Sequence, residues 1–411
     1  MKYAIVILSG AADEPRDELR GKTPIEAAAT PNLDRLAVAG RVGSIATTPE
    51  DARTLTDVCA MGILGYDPIA SHTGWAPIEA AALGLKPRPE EWLLCADLVC
   101  VSGRGDDDTL DSHEPEDLDE VDSARLFDAI DRAWRDALPD LAKDLDLARA
   151  RGHRAVLVDT SGRSYEALET EPPQEMIGEV WSRRAPDGPP ADDLGRLIAV
   201  AAEVLEDHEV NRERASRGLR PANMLWLWGQ GPATPLRPFR ERFELSAAML
   251  TTSSVYEGLA RLAGFASLRA DGDLGEALTD ALDRYDLVCC AIDGPERASR
   301  AGDWEAKVRA IEAADRGVVG PLLDKLHSFG DAETEPGRQG WRMLALADAT
   351  TMLSTRTHEP DPTPLVMAGS WVRSVVQRPF NEAAAADSDL LIDPAHELME
   401  YFLFSGRTGA R

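Results

Sequence analysis

The stretch Tyr3-Ala-Ile-Val-Ile-Leu8, followed directly by Ser9-Gly10, decides the fold. An uninterrupted apolar run bounded by a turn is typical of a strand buried on both faces of a parallel sheet. Further runs of this kind are Ala155–Val158, Met224–Trp228, Leu287–Ile292, Trp341–Ala347 and Pro364–Ala368. Amphipathic helical stretches separate them, so the sequence predicts an α/β protein with a mostly parallel sheet flanked by helices.

Two of the helical stretches have recognisable ends. Thr30-Pro31, followed by Asn32–Gly40, predicts a helix that ends at Gly40. A second helix is predicted over Asp303–Arg316, with Asp303 as its N-cap.

The composition limits the possible partners. The chain has 411 residues, and 44 Lys and Arg against 72 Asp and Glu give a formal charge of −28. This length predicts two domains. A surface this acidic repels phosphate backbones and anionic lipid headgroups, so we expect no nucleic-acid and no membrane partner. Anionic metabolites are repelled as well, so any site for one needs a local basic pocket.

Cysteine usage and the N-terminus predict a cytoplasmic protein. The five cysteines are an odd number without a CxxC motif, which favours buried, reduced thiols. The apolar run at the N-terminus is too short for a signal sequence, and no stretch approaches about 18 apolar residues.

Polar residues follow two of the predicted strands. Ser9 comes after the first strand, Asp348 comes after Trp341–Ala347, and His358 lies in the turn-rich stretch beyond. Functional groups in open α/β sheets gather at the carboxyl ends of strands, where a carboxylate and an imidazole could ligate a metal. The alternatives are a plain turn at Ser9, a capping role for Asp348 and a solvated loop histidine at His358.

A hydroxyl precedes another apolar segment. Thr56 stands just before Val58–Leu64, in the stretch Arg53-Thr-Leu-Thr-Asp57. At the start of a helix such a hydroxyl could be a nucleophile, or it could simply be an N-cap.

Several stretches, taken in order along the chain, resemble one known family. They are Gly21–Ala37, Gly62–Pro68, Pro77–Ala81, Pro221–Asn223 with Trp226–Gly231, and Gly302–Lys307. This ordered set resembles the archaeal-type, cofactor-independent phosphoglycerate mutases of the alkaline phosphatase superfamily.

The resemblance implies an alkaline-phosphatase-like domain built from residues 1–84 and 244–411. It also implies a smaller inserted α/β domain, residues 85–243, that closes over the substrate. The family reaction, a step of glycolysis, converts 3-phosphoglycerate to 2-phosphoglycerate through a phosphoserine. Two divalent ions, usually manganese, activate the hydroxyl and hold the phosphoryl oxygens.

The resemblance also implies site residues. It places the nucleophile on Thr56 and metal-ligand positions on Asp348, His358 and Glu296. The basic residues implied for substrate binding are Arg154, Arg214, Lys307 and Arg300.

Three other ligand positions of the family fall on residues of different chemistry. Ser9 stands in place of an aspartate, and Ala349 and Arg300 stand in place of histidines. An arginine stays protonated and cannot offer a lone pair to a metal, but it can pair with Glu296 or with a phosphate. The expected cofactor is therefore none, or one weakly bound divalent metal.

Three hypotheses follow from the sequence. The first is a mutase-like protein that is metal-poor and catalytically impaired or inactive, and that binds a small phosphorylated or carboxylate metabolite. The second is an active mutase or phosphatase that uses Thr56 and Arg300 at an altered site. The third is a non-catalytic regulatory or scaffold protein that binds a protein partner. The sequence predicts no oligomeric state.

Overall fold

The computed structural model describes residues 1–50, 52–103, 105, 107–269, 272–373 and 376–406. The chain forms two compact units, one made of Met1–His72 with Pro235–Arg411 and the other of Thr73–Thr234. The sequence placed these boundaries at 84/85 and 243/244, and residues 407–411 of its first domain lie outside the described part. The closing role of the inserted unit stays a prediction.

The regular elements are numbered in chain order. The strands are β1 Lys2–Leu8, β2 Arg41–Ile45, β3 Trp92–Val101, β4 Leu110–Ser112, β5 Leu145–Arg149, β6 Arg154–Asp159, β7 Met224–Pro232, β8 Ala247–Thr251, β9 Ala266–Leu268, β10 Leu287–Ile292, β11 Trp341–Ala347, β12 Thr350–Thr351, β13 His358–Glu359, β14 Thr363–Gly369 and β15 Leu391–Ile392. The helices are α1 Pro24–Ala27, α2 Pro31–Ala39, α3 Thr56–Ile63, α4 Pro68–Ser71, α5 Trp75–Ala82, α6 Glu120–Ala137, α7 Pro139–Ala142, α8 Ala191–Glu206, α9 Glu209–Ser216, α10 Phe239–Phe243, α11 Ser254–Leu262, α12 Leu274–Arg284, α13 Gly294–Ala301, α14 Trp304–Ala314, α15 Gly320–His327, α16 Glu382–Ala386 and α17 Leu398–Phe404.

The larger unit contains a mixed, mostly parallel sheet. Over the described residues its strand order is β15-β2-β14-β11-β1-β10-β8-β9. Strand β1 is central and parallel to both β10 and β11, whereas β14 runs antiparallel to β11 and β2. This arrangement confirms the α/β class predicted from the sequence.

The core explains why the first strand is apolar throughout. Ala4, Val6 and Leu8 belong to a cluster on one face that includes residues of α2, α12 and α15. Ile5 and Ile7, which point to the opposite face, are also fully buried. A strand covered on both faces needs apolar residues at every position, as the sequence pattern indicated.

The unit of residues 73–234 has a separate antiparallel sheet of order β4-β3-β6-β5, in which β7 also pairs with β3. The apolar runs Ala155–Val158 and Met224–Trp228 lie in its strands β6 and β7. An apolar run indicates burial on both faces but not strand direction, so the sequence could not distinguish these strands from parallel ones. Helices α5, α6 and α8 pack against the sheet.

The predicted helix ends can be compared with the structure. Helix α2 ends before Gly40, as predicted, and Asp303 caps α14 by accepting from the backbone N–H of Ala306. The helical path continues beyond Arg316 through a π-helical stretch, Asp315–Val319, into α15. In the described part of the chain, no helix is both long enough and apolar enough to cross a membrane.

Candidate functional site

Adjacent strand ends bring the first polar residues together. Leu8 lies opposite Ala347 in the β1–β11 pairing, so Ser9 and Asp348 follow at the same edge of the sheet. The backbone N–H of Gly10 donates to Asp348 Oδ1 at 2.8 Å. Gly10 has φ +65°, and a Cβ there would lie 2.8 Å from Glu296 Cα and from Thr351 Oγ1. Glycine at this turn therefore allows Glu296 and Thr351 to approach the backbone closely.

Asp348 is fully paired by protein groups. Its second oxygen, Oδ2, accepts from the Tyr256 hydroxyl at 2.8 Å, and the tyrosine is completely buried in helix α11. Burial and the nearby charge of Glu296 raise the pKa of Asp348, against the hydrogen bonds from Gly10 and Tyr256. Both carboxylate oxygens therefore have internal donors.

Glu296, on helix α13 just after β10, faces a histidine and an arginine side chain. Its Oε1 lies 3.2 Å from His358 Nε2 and 3.7 Å from Arg300 Nη2. Arg300 also donates through Nη1 to the backbone carbonyl of Arg356 at 2.9 Å. Burial raises the pKa of Glu296, but pairing with His358 and Arg300 outweighs burial and lowers it to about 2. Glu296 is thus held as a carboxylate within an ion-pair network.

His358 connects this network to Thr56. Its Nε2 lies 3.1 Å from Thr56 Oγ1, and its Nδ1 lies 2.9 Å from Thr351 Oγ1. The imidazole is 2% exposed, so it is not the solvated loop histidine considered as an alternative. Thr56 is the first residue of α3, while Leu55 occupies the N-cap position without a side-chain bond. The N-cap alternative for Thr56 is therefore wrong.

The family-ligand positions with altered residues also lie at this edge. Ser9 is buried, and its hydroxyl has no hydrogen-bond partner in the structure. Ala349 is buried directly after Asp348. Among the described residues, no group of three or more His, Cys, Asp or Glu side chains is arranged to hold a metal ion.

The other predicted substrate-binding cations have internal partners. Arg154 pairs with both oxygens of Asp97 at 2.8 Å and with Glu79 at 2.6 Å. The buried Arg214 donates to the backbone carbonyls of Arg220 and Glu116. Both arginines belong to the unit of residues 73–234, and their role in substrate binding stays a prediction.

Lys307 belongs to the same unit as the site but is fully buried. Its Nζ donates to Asp13 Oδ2 at 2.7 Å and to the carbonyls of Ala12 and Thr351. Burial lowers the pKa of Lys307, against the charge of Asp13. Lys307 thus fixes the backbone beside Thr351.

Sequence reasoning missed two members of the site. Tyr256 lies in an amphipathic helix where an aromatic residue indicates only a core position. Thr351 is one of many threonines in a turn-rich stretch, and nothing local distinguishes it. Only the pairing of the two hydroxyls with Asp348 and His358 reveals them.

The larger unit is an α/β domain with a mixed, mostly parallel sheet and polar residues at its strand ends. Two solved structures share this fold. A Pyrococcus horikoshii protein has a TM-score of 0.73 at 24% identity, with 98% of this chain and 96% of that chain covered. The cofactor-independent phosphoglycerate mutase of Thermoplasma acidophilum has a TM-score of 0.56 at 22% identity, with 98% and 99% covered.

Sequence comparison establishes the family. Residues 37–211 match the family model described as 2,3-bisphosphoglycerate-independent phosphoglycerate mutase. The phosphoglycerate mutase 2 of Methanothermobacter thermautotrophicus is 34% identical, with 98% of this chain and 97% of the relative covered. The corresponding mutase of Methanothrix thermoacetophila is also 34% identical, with 94% and 95% covered. The chain belongs to the 2,3-bisphosphoglycerate-independent phosphoglycerate mutase family.

Proposed function

We propose that this chain is a phosphoglycerate-mutase-family protein in which an internal ion-pair network replaces the two-metal centre, so that mutase catalysis is impaired or absent. The observation that carries the proposal is the pairing of Glu296 with His358, beside Arg300. These are three of the seven positions that the family resemblance assigns to the nucleophile and metal ligands. Here the Glu296 carboxylate lies against the other two side chains.

The chemistry of the donor set supports this proposal. A serine hydroxyl and a methyl group at Ser9 and Ala349 cannot substitute for a carboxylate and an imidazole as metal ligands. The Arg300 guanidinium would repel a cation and has no lone pair to donate. Asp348 and His358 could hold at most one divalent ion, and two ligands are too few for tight binding. The residues present therefore do not fit two metals.

The ligand of such a site would be a small phosphorylated or carboxylate metabolite. Arg300 supplies a positive charge, and its side chain is 16% exposed, so it is partly accessible from solvent. A guanidinium can bind a phosphate or a carboxylate through two parallel hydrogen bonds. In this proposal the unit of residues 73–234 closes over that ligand.

The hydrogen bond between Thr56 and His358 favours a second candidate, phosphoryl transfer without the family's metals. With the proton of the neutral imidazole on Nδ1, facing Thr351, Nε2 can accept the proton of Thr56 Oγ1. The threonine oxygen would then form a new P–O bond while the P–O bond to the leaving group breaks, and the imidazolium would give its proton to the leaving oxygen. Glu296 and Arg300 would stabilise the imidazolium and the phosphoryl oxygens.

Turnover of 3-phosphoglycerate with and without Mn²⁺, together with the metal content of the purified protein, tests both candidates. We expect no metal-dependent mutase activity and less than stoichiometric metal. Metal-stimulated turnover that is lost in Thr56→Ala would overturn the first candidate. Metal-independent turnover lost in the same variant would establish the second.

A variant that restores the family's metal-ligand types provides a second test. The triple change Ser9→Asp, Arg300→His, Ala349→His returns the ligand types that the family resemblance assigns to these positions. We expect the triple variant to gain Mn²⁺ binding by calorimetry, whereas the surface control Arg309→His does not. Equal Mn²⁺ binding by the wild type and the triple variant would contradict the proposed loss of the centre.

A further inference from the structure

A surface cavity of about 540 Å³, open to solvent, lies in the larger unit, away from the candidate site. Arg41, which begins β2, and Met367, its partner on β14, line the cavity together with Trp371 and Tyr401. Strand β14 runs antiparallel to β11, so its last residues lie at the amino-terminal edge of the parallel strands. The candidate site lies at their carboxyl-terminal edge, so this cavity is a separate feature at the opposite end of the sheet.

A buried arginine fixes the walls of the cavity. Arg342 is fully buried, and its guanidinium donates to the carbonyls of Ser370 at 2.9 Å and Phe402 at 2.7 Å, and also to that of Ser405. These bonds connect the segment after β14 with helix α17. The two walls that carry Trp371 and Tyr401 are therefore held in place by a common residue, which favours a preformed pocket.

Two further arginines line the cavity, and each is paired with a carboxylate. Arg41 donates to the Tyr401 hydroxyl at 3.2 Å and pairs with the exposed Asp389 at 3.1 Å. Arg373 pairs with Glu333, and its side chain is 80% exposed. Ion pairs this exposed contribute little to stability, so either guanidinium can exchange its partner for an anionic ligand.

Trp371 adopts a backbone conformation that bulky residues avoid. Its φ is +63°, in the left-handed region. Its backbone N–H donates to Glu333 Oε2 at 3.1 Å, and Glu333 also lines the cavity. The residue is half-buried in the wall of the cavity. Strained residues held by their surroundings are concentrated at binding sites.

We propose that this cavity binds a small molecule that joins a planar aromatic ring to an anionic group, as a nucleoside monophosphate does. Trp371 and Tyr401 offer ring faces for stacking, as aromatic side chains do for nucleobases. Arg41 and Arg373 bind the anionic group, and Glu333 accepts from an amino group of the ring. The inference does not depend on the function proposed for the strand-end site.

Calorimetric titration of the full chain with adenosine monophosphate tests the proposal. We expect one site, with adenosine and inorganic phosphate each binding at least about tenfold more weakly than the intact nucleotide. No binding of the nucleotide would overturn the proposal. Phosphate binding as tight as that of the nucleotide would show that the cavity binds only an adventitious anion and would overturn the proposal. Adenosine binding as tight as that of the nucleotide would show that the arginines do not bind the anionic group and would also overturn it.

Single substitutions test whether the nucleotide binds in this cavity. Trp371→Gly removes the indole and suits a positive φ, so we expect loss of nucleotide binding in a chain that still unfolds cooperatively. Arg373→Gln changes an exposed side chain and should weaken binding about tenfold without a folding defect. The control Arg309→Gln should bind like the wild type. Unchanged binding in Trp371→Gly, with loss in Arg300→Gln, would place the ligand at the other site and refute the inference.

Discussion

Replacing Glu296 by glutamine perturbs the ion-pair network of the strand-end site with little change in volume. Burial raises the pKa of Glu296, yet His358 and Arg300 hold it near 2, compared with an ordinary value of 4.5. Each unit of difference between the ordinary and the folded pKa corresponds to about 1.4 kcal/mol. The lowered pKa of Glu296 therefore corresponds to about 3 kcal/mol of stabilisation of the folded protein when Glu296 is charged. Because the side chain is 18% exposed, solvent screening reduces the expected loss of stability to about 2 kcal/mol.

The pH dependence has a definite sign. The folded pKa of Glu296 lies below its unfolded value, so the stabilisation is fully present above about pH 4.5 and is lost as the pH falls towards 2. Urea unfolding of wild type and Glu296→Gln at neutral and acidic pH measures the difference. The matched control is Glu305→Gln, whose partner Arg309 is also four residues away but 63% exposed. Glu305→Gln should lower the free energy of unfolding by less than about 0.5 kcal/mol.

Two results would refute the reasoning. Equal stability of wild type and Glu296→Gln at neutral pH would show that the network is not formed in solution. An increase of the wild-type unfolding temperature by Mn²⁺ that is absent in the variant would show that Glu296 serves a metal.

Three further predictions concern stability. Lys307→Met should destabilise the protein by about 3 kcal/mol in urea unfolding, because it leaves Asp13 charged and buried without its cationic partner. Tyr256→Phe should cost about 1–3 kcal/mol, measured in the same way, because Asp348 loses one of its two donors in a buried site. The unfolding temperature should rise with KCl but much less with an uncharged osmolyte of equal osmolality, because salt screens the repulsion of a chain with net charge −28.

The sequence could predict which residues approach one another at strand ends. Ser9 and Asp348 each follow an apolar run, and parallel strands bring such positions to one edge of a sheet. The residues alone also suggested Thr56 and His358, and the family resemblance added Glu296; the structure brings these three into one cluster. In both cases the prediction rests on order along the chain.

Side-chain pairing could not be predicted in the same way. Arg154 faces Asp97 directly across the β3–β6 pairing, and this register depends on strands that are far apart in sequence. The Tyr256 hydroxyl reaches Asp348 from a helix whose pattern specifies burial but not the direction of a single oxygen. Antiparallel pairing of β14 also depends on the return path of the chain rather than on its apolar run.

The pattern of replacements argues for a coordinated change rather than the loss of single ligands. Two family-ligand positions keep a carboxylate, Glu296 and Asp348, and both have protein partners where the family resemblance places metal ions. Glu296 contacts Arg300 and His358, and Asp348 accepts from a tyrosine hydroxyl. Returning one ligand alone, for example by Arg300→His, would remove the charge that holds Glu296 and supply no carboxylate at Ser9. Such a variant should therefore lose stability without gaining Mn²⁺ affinity, and only combined replacements can exchange the internal network for metal ions.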